Sequence, residues 1–180
     1  MTPEVKQFIE QNIDAINDCD FYYVYKNVPT EIRLHHTSEL TEAFLKAGIN
    51  PLEYMHIVPI NFLKACVHSI ADFVIPSNIR SIEAHAFSAT DFVHLVIPEG
   101  VQELKVRAFS SCTELETVSL PSTLDYIENS VFSRCRNLKT VTYNGTLAQW
   151  DNIDKYDNWL SAARSIEVDL VCSDGTRRIS

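Results

Sequence analysis

Apolar residues recur along the chain from Phe73 onward at steps of 22 and 23 positions. The aligned columns are Phe73, Leu95, Val118 and Val141; Ile75, Ile97 and Leu120, each followed by proline; Ile79, Val101 and Leu124; Ile82, Leu104 and Ile127; Phe87, Phe109 and Phe132; and Phe92, Leu115 and Leu138. A segment this short cannot enclose its own hydrophobic face, so neighbouring segments must stack and share one core. The repeat therefore predicts a solenoid whose columns lie in register.

Each repeat contains a short segment with the alternation of a β-strand. Val118 and Leu120 flank the small polar Ser119, and Pro121 follows directly. A period of two places Val118 and Leu120 on one face of a strand, and proline ends a strand without removing a needed hydrogen-bond donor. The second half of the repeat, residues 124–127, has a three-residue spacing. Its pattern fits either a short second strand or a tight turn.

The repeat resembles the Treponema-type, or bacterial surface antigen-type, leucine-rich repeat. The resemblance is carried by Phe109-Ser-Ser-Cys112-x-x-Leu115-x-x-Val118-x-Leu120-Pro121 and its copy from Phe132 to Tyr143. The chain also resembles the closing segment of many such proteins in Val141-Thr-Tyr143-Asn-Gly145-Thr146-x-x-Gln149-Trp150-x-x-Ile153, followed by Val171-Cys172-Ser-Asp174-Gly175. The family resemblance implies a parallel-stranded solenoid that acts by binding, with no shared catalytic residues.

The sequence thus predicts an α+β solenoid, a short leucine-rich-repeat parallel β-solenoid that is capped at both ends. We expect an N-terminal helical cap over residues 1–58, the repeats over residues 59–143 and a C-terminal helix and hairpin cap over residues 144–180, all in one compact domain. Caps are expected because the end turns of a solenoid would otherwise expose their core.

The N-terminal cap is predicted to be helical. Thr2 is the expected N-cap of a first helix with Pro3 at its first position, and a second helix is expected to follow Thr37 and to end at Gly48. Residues 18–36 fit a short helix or a strand, and we favour a helix. The apolar stripes expected to face the core are Val5, Ile9, Ile13 and Ile16 in the first helix, and Leu40, Phe44 and Leu45 in the second.

The C-terminal cap has clear local signals. Thr146 and Gln149 have the spacing of a capping box, which would open a short helix that packs Trp150 and Ile153 onto the last repeat. Residues 166–172 alternate as a strand, and Asp174-Gly175 is a hairpin turn signal.

Composition narrows the classes of partner. The 180 residues carry a net charge of -9, with acidic residues scattered along the chain, which opposes nucleic-acid binding; an acidic face that imitates DNA is the alternative. The start of the chain lacks a signal-peptide pattern, and no segment approaches the ~20 apolar residues of a membrane span. Five cysteines without a close pair favour free thiols in a reducing cytoplasm. We therefore expect a cytoplasmic protein.

Candidate chemistry is sparse, and we predict a non-enzyme without cofactor or metal. The adjacent His35 and His36 would point to opposite faces of a strand, so one metal ion would not easily bind both. Cys112 and Cys135 share a repeat column, which fits a disulfide, although buried free thiols are favoured. Nothing resembles a nucleophile elbow, and four glycines leave no phosphate-binding loop. The alternative is an enzyme with a site between the N-terminal cap and the first repeats, using His56, His68 or Cys66.

Function is expected on the outer side of the strands. The repeat alignment predicts protein-binding positions at Asp72, Val74, His94, Val96, Thr117, Ser119, Thr140 and Thr142. This strip has little charge, which is typical of contact surfaces, although such residues also suit any exposed strand. We predict a protein-interaction module of bacterial or bacteriophage type that binds and occludes a host protein. The alternative is a structural subunit that assembles with copies of itself, and the sequence does not specify an oligomeric state.

Overall fold

The structure of the protein is a computed structural model, which describes residues 2–18, 20–46, 50–63, 73–161 and 167–179. The helices are α1 (Pro3–Gln11), α2 (Ile13–Asn17), α3 (Phe21–Lys26), α4 (Thr30–His35), α5 (Thr37–Lys46) and α6 (Leu147–Asn152), with a 3-10 turn at Pro51–Tyr54. The strands are β1 (Ile57–Val58), β2 (Ser81–Ile82), β3 (His94–Val96), β4 (Glu103–Leu104), β5 (Thr117–Leu120), β6 (Tyr126–Ile127), β7 (Thr140–Tyr143), β8 (Asp154–Lys155), β9 (Val168–Cys172) and β10 (Gly175–Ile179).

The strands form two sheets that run along the solenoid. Sheet A has the order β1-β2-β4-β6-β8, and sheet B has the order β10-β9-β7-β5-β3. Every pairing is parallel except that of β9 with β10, which is antiparallel. The predicted parallel β-solenoid with caps is therefore confirmed. Of residues 124–127, which fitted a strand or a turn, Tyr126 and Ile127 form the short strand β6.

The repeat columns stack as the sequence predicts. The rings of Phe87 and Phe109 are 5.3 Å apart between centroids and 6° from parallel, and those of Phe109 and Phe132 are 5.4 Å apart and 7° from parallel. All three side chains are fully buried. Phe62 meets one end of this stack edge-on at 5.9 Å, and Trp159 meets the other end edge-on at 6.0 Å. The aromatic column is thus closed at both ends by edge-to-face contacts, an arrangement that rings prefer.

The turns that carry these rings use left-handed backbone without glycine. Positive φ angles recur at His85, Ala89, Arg107, Ser111, Ser130 and Arg134, which occupy two columns of the repeat. A left-handed conformation costs an L-residue roughly 1–2 kcal/mol. We call each turn of the solenoid a rung. The turns keep the left-handed conformation because their backbone amides donate hydrogen bonds to carbonyl oxygens of the next rung. Phe87 N donates to Ala108 O at 2.8 Å, and Phe109 N donates to Val131 O at 3.0 Å.

The N-terminal cap is helical, as predicted, and the run from Phe21 belongs to helix α3. Phe21 and Tyr25 are buried, whereas Tyr23 is 50% exposed. The first apolar stripe is only partly correct, because Val5 is buried but Ile13 is 46% exposed. The helix ends at Gln11 and a new one begins at Ile13, so the phase of the stripe is lost.

The predicted details of these helices have mixed outcomes. Thr2 is the N-cap residue of α1, but its side chain makes no capping hydrogen bond. Helix α5 begins at Thr37, and its Leu40 and Phe44 are buried. Its predicted end at Gly48 lies outside the described residues. The boundaries 1–58, 59–143 and 144–180 stay a prediction, and the first paired strand is β1.

The C-terminal cap has the predicted form. Thr146 Oγ1 accepts a hydrogen bond from Gln149 N, and Gln149 Oε1 accepts one from Thr146 N, which completes the capping box. Trp150 and Ile153 are buried on the last rung. Strands β9 and β10 form the predicted hairpin, so the cap extends sheet B rather than merely covering its end.

The described cysteines are free and buried thiols, at Cys112, Cys135 and Cys172. The thiol of Cys112 donates to Phe87 O at 3.3 Å, and that of Cys135 donates to Phe109 O at 3.2 Å. These cysteines therefore act as small core residues that also satisfy a carbonyl of the preceding rung. In the described ranges, the structure contains no helix with the length and apolar character needed to cross a bilayer.

Replacement of Phe109 by alanine tests the shared core. We expect Phe109→Ala to lower the free energy of unfolding by about 3–5 kcal/mol, because it removes a buried ring and leaves a cavity. Val96→Ala is the control, because Val96 is 67% exposed and should change stability by less than about 0.5 kcal/mol. Urea unfolding followed by circular dichroism measures both. A cost below about 1 kcal/mol for Phe109→Ala would contradict the shared core.

Candidate protein-binding surface

The outer face of sheet B is formed by alternate residues of its strands. Leu95, Val118, Val141 and Leu170 share one register across the sheet and are buried. The residues between them therefore face outward, because successive side chains of a strand point to opposite faces. Outward positions predicted from the sequence and found in these strands are His94, Val96, Thr117, Ser119, Thr140 and Thr142.

Two predicted site residues do not belong to the strands of sheet B that the structure describes. Asp72 falls outside the described residues. Val74 is 73% exposed and lies in a segment with no assigned strand. It occupies the same repeat column as Val96, which is 67% exposed. In its described part, from Phe73 to Pro76, the first turn of the repeats therefore contributes an exposed apolar residue but no strand to sheet B. The role of all these residues in binding stays a prediction.

The C-terminal hairpin adds outward residues that the repeat alignment missed. Asp169 lies beside Thr140, and Val171 beside Thr142, on the parallel partner β9. Arg178 lies opposite Asp169 on β10. The alternation of residues 166–172 indicated a strand, but nothing periodic connects it to β7, because a long insertion separates the two. The sequence therefore predicted the hairpin but not its place in the sheet.

The character of the face changes along the sheet. Val96 makes the β3 end apolar, and the next two strands present hydroxyl groups. The His94 Nδ1 atom lies 2.9 Å from the Thr117 hydroxyl, so the imidazole is bonded within the face. At the hairpin end, Arg178 forms ion pairs with Asp169 and Glu167. An uncharged centre thus adjoins a charged but paired end.

A second ion pair lies at the beginning of the central strands. Lys139 Nζ is 2.9 Å from Glu116 Oε1, and this hydrogen bond holds the pKa of the Glu116 carboxyl below its ordinary value. Exposed pairs of this kind add little stability. Here the Lys139–Glu116 pair adds no net charge to this border of the sheet B face.

Glu99 lies at the opposite border, in the turn after β3. Its carboxylate accepts hydrogen bonds from Ser122 N at 3.1 Å, Ser122 Oγ at 3.1 Å and Asn144 Nδ2 at 3.0 Å. Partial burial acts to raise its pKa, but the hydrogen bonds from Asn144 and Ser122 outweigh burial and lower it. One carboxylate therefore joins three successive turns of the solenoid.

Sheet A presents a different surface. Lys105 Nζ lies 2.9 Å from Glu103 Oε2 and 3.9 Å from Glu128 Oε1. It also lies 5.3 Å from the centre of the Tyr126 ring, within the range of a cation–π interaction. The outer side of sheet A is thus charged, whereas the centre of sheet B is neutral.

A cavity of about 300 Å³ lies between the N-terminal cap and the first strand of sheet A, where Tyr25, Arg33, Ile57 and Glu83 are among its lining residues. His56, a candidate for the alternative enzyme site, does not line it, and its Nδ1 lies 3.0 Å from Asn78 O. His68 and Cys66 lie outside the described residues.

The described ranges also contain no group of three or more His, Cys, Asp or Glu residues that could hold a metal ion. The adjacent histidines lie at the end of α4, where His35 is the last helical residue and His36 follows it.

The titration of Glu99 tests the link between the turns. Because its folded pKa lies below the ordinary 4.5, ionised Glu99 stabilises the fold above pH 4.5, and this contribution is lost as pH falls through the lower folded value. We expect Asn144→Ala to raise the Glu99 pKa towards 4.5, as measured by carbon-13 NMR titration. Asn152→Ala, at another exposed asparagine, should leave it unchanged. Titration of wild-type Glu99 at or above 4.5 would contradict the geometry.

A match to a protein family agrees with the fold. Residues 56–156 match the family described as BspA type Leucine rich repeat region, in six copies. A leucine-rich repeat protein from Bacteroides ovatus is 32% identical, over 47% of this chain and 24% of that one, with a TM-score of 0.37. A leucine rich cell surface protein from Faecalibacterium prausnitzii is 28% identical, over 44% and 27%, with a TM-score of 0.36.

The chain spans about a quarter of the length of these two structures. No curated protein matches it. The family match covers more than half of the residues and includes all strands of sheet A. The chain belongs to the BspA-type leucine-rich repeat family.

Proposed function

We propose that the outer face of sheet B binds another protein and that the chain is a non-catalytic interaction module. The observation that carries this proposal is the uncharged centre of the face on a chain of net charge -9. Contact surfaces are depleted of charge at their centre, because a buried charge must lose its hydration. Threonine and serine hydroxyls can exchange water for a partner's polar groups at little cost.

The apolar end of the face would supply the anchor. Val96 is 67% exposed, and burial of a valine side chain in a complex contributes on the order of 1.5 kcal/mol. His94 and Thr117 already bond to each other, so fewer side chains must be ordered on binding. An ordered surface loses less conformational entropy when a partner docks.

The size of the face limits what it can do alone. Five strands of three to five residues, about 4.8 Å apart and about 10–17 Å long, give a face of about 330 Å², less than half of the ~800 Å² per partner in a standard interface. A tight complex therefore needs further contacts. Tyr23 and Tyr54 on the N-terminal cap are 50% and 51% exposed, and aromatic residues are enriched at interfaces.

The narrower form of the proposal is a bacterial or bacteriophage protein that binds a host protein and occludes its active surface. A capped solenoid can inhibit by covering a surface without performing chemistry. We also propose, from the sequence alone, the Treponema type of repeat and a cytoplasmic site of action. Cell fractionation tests the location, since one structural neighbour is described as a cell surface protein.

A photo-crosslinking amino acid at position 96 would identify the partner. The matched control carries the same group at Tyr156, which is 50% exposed and follows the last strand of sheet A. We expect a discrete adduct from position 96 and none from position 156, with the attached protein identified by mass spectrometry. An adduct with a second copy of this chain would instead support the self-assembling subunit, and light scattering would show the corresponding mass.

Substitution by arginine then tests the contact. We expect Val96→Arg or Thr117→Arg to weaken binding of the identified partner at least tenfold, about 1.4 kcal/mol, because each places an unpaired charge in the interface. Tyr156→Arg should leave the affinity within twofold. Circular dichroism checks that each variant is folded. Unchanged affinity of both sheet B variants would exclude this face as the site.

A further inference from the structure

A polar groove runs across the turns that carry the stacked phenylalanines, on a surface formed by neither sheet. Its volume is about 430 Å³, within the range of small-ligand sites. Successive turns contribute equivalent residues to it, because the rungs are in register. Its lining includes the serine column Ser88, Ser110 and Ser133 and the basic residues His85, Arg107 and Arg134.

The charge of this groove differs from that of the whole chain. The net charge of the protein is -9, yet the described residues that line the groove include no aspartate or glutamate. Arg107 and Arg134 are exposed and form no ion pair with any described residue. By contrast, Arg177 and Arg178 are paired with carboxylates. Arg107 and Arg134 therefore bring two positive charges, without an ion pair among the described residues, to one groove of an acidic protein.

Six serines also line the groove, and two of them bond adjacent rungs to each other. Ser88 and Ser110 are 6% and 5% exposed, and their Oγ atoms are 2.9 Å apart. The Ser88 hydroxyl is also 3.1 Å from Ser110 O, so this pair is held in place from one rung to the next. Ser133 continues the column and is half-buried. Because Ser88 and Ser110 are buried and bonded to each other, the hydroxyls left for a ligand include those of the less buried Ser111, Ser130 and Ser133.

We infer that this groove binds a small ligand through a phosphate or sulfate group. A guanidinium presents planar, forked N–H donors that match such an oxyanion, and serine hydroxyls can donate to the oxygens left over. Arginines contributed by successive turns can approach one anion from two sides. The inference is independent of the protein-binding face, because it uses other residues on another surface.

Isothermal titration calorimetry of the full chain at low ionic strength tests this inference. Glucose 6-phosphate, glucose 6-sulfate and glucose are the probes, since they share one sugar and differ only in the anionic group. We expect saturable binding of at least one ester and none of glucose. A phosphate ester bound at least threefold tighter than the sulfate ester would identify phosphate as the natural group, and the reverse ratio would identify sulfate. Binding of neither ester overturns the inference.

Variants separate the groove from general attraction to positive charge. We expect Arg107→Gln and Arg134→Gln each to weaken ester binding at least tenfold. Arg136→Gln removes the same charge from an exposed residue that does not line the groove, and it should change binding less than twofold. Arg107→Lys keeps the charge but loses the forked N–H donors of the guanidinium, so we expect an affinity between those of the wild type and Arg107→Gln. This conservative variant also shows whether the loss in Arg107→Gln reflects the missing charge or a misfolded protein. Equal loss in Arg136→Gln and Arg107→Gln would overturn the site.

Discussion

Stacking of one turn of chain on the next is the interaction on which the rest of this structure depends. A segment of 22 or 23 residues buries its apolar side only against its neighbours. Phe87, Phe109 and Phe132 show this directly, as parallel rings a little over 5 Å apart and closed to solvent. Burial of each ring contributes roughly 1.5–3 kcal/mol, and no single turn could obtain it alone.

This stacking fixes the register of successive repeats, and the register determines which residues form each surface. Because the core columns align, residues at other positions of the repeat align as well, and each forms a ladder along the solenoid. Two of these ladders give the neutral face of sheet B, others give the ion pairs around Lys105 on sheet A, and three more give the groove that contains Arg107 and Arg134. A rigid scaffold with such ladders is ordered before a ligand arrives, which reduces the entropy lost on binding.

The sequence predicted those features whose signal is local or periodic. The stacked columns, the Thr146 capping box and the Asp174-Gly175 hairpin each arise from residues that are close in sequence or a fixed step apart. The pairing of β9 with β7 was missed, because residues 144–167 break the spacing of 22 or 23 residues, and the spacing therefore does not specify the neighbour of β9 in the sheet. The exposed Ile13 was missed because a helix break at Asn12 shifts the phase of the stripe.

The groove was missed for a different physical reason. Left-handed turns are usually recognised by glycine, whereas these turns place arginine, serine, alanine and histidine at positive φ. The tertiary hydrogen bonds between rungs impose that conformation, and no residue type at these positions predicts it. The candidate face on sheet B was predictable only as far as the repeats extend, so Asp169, Val171 and Arg178 could be added only from the strand register.

Native-state hydrogen exchange tests most directly whether the rungs share one core. The amides of Phe87, Phe109 and Phe132 each donate to a carbonyl of the following rung, at 2.8, 3.0 and 3.0 Å. If the rungs are stable only together, these amides exchange with one opening free energy, equal to that of global unfolding. Opening free energies that differ by more than about 1 kcal/mol between Phe87 and Phe132 would show rungs that open separately, and would contradict the account.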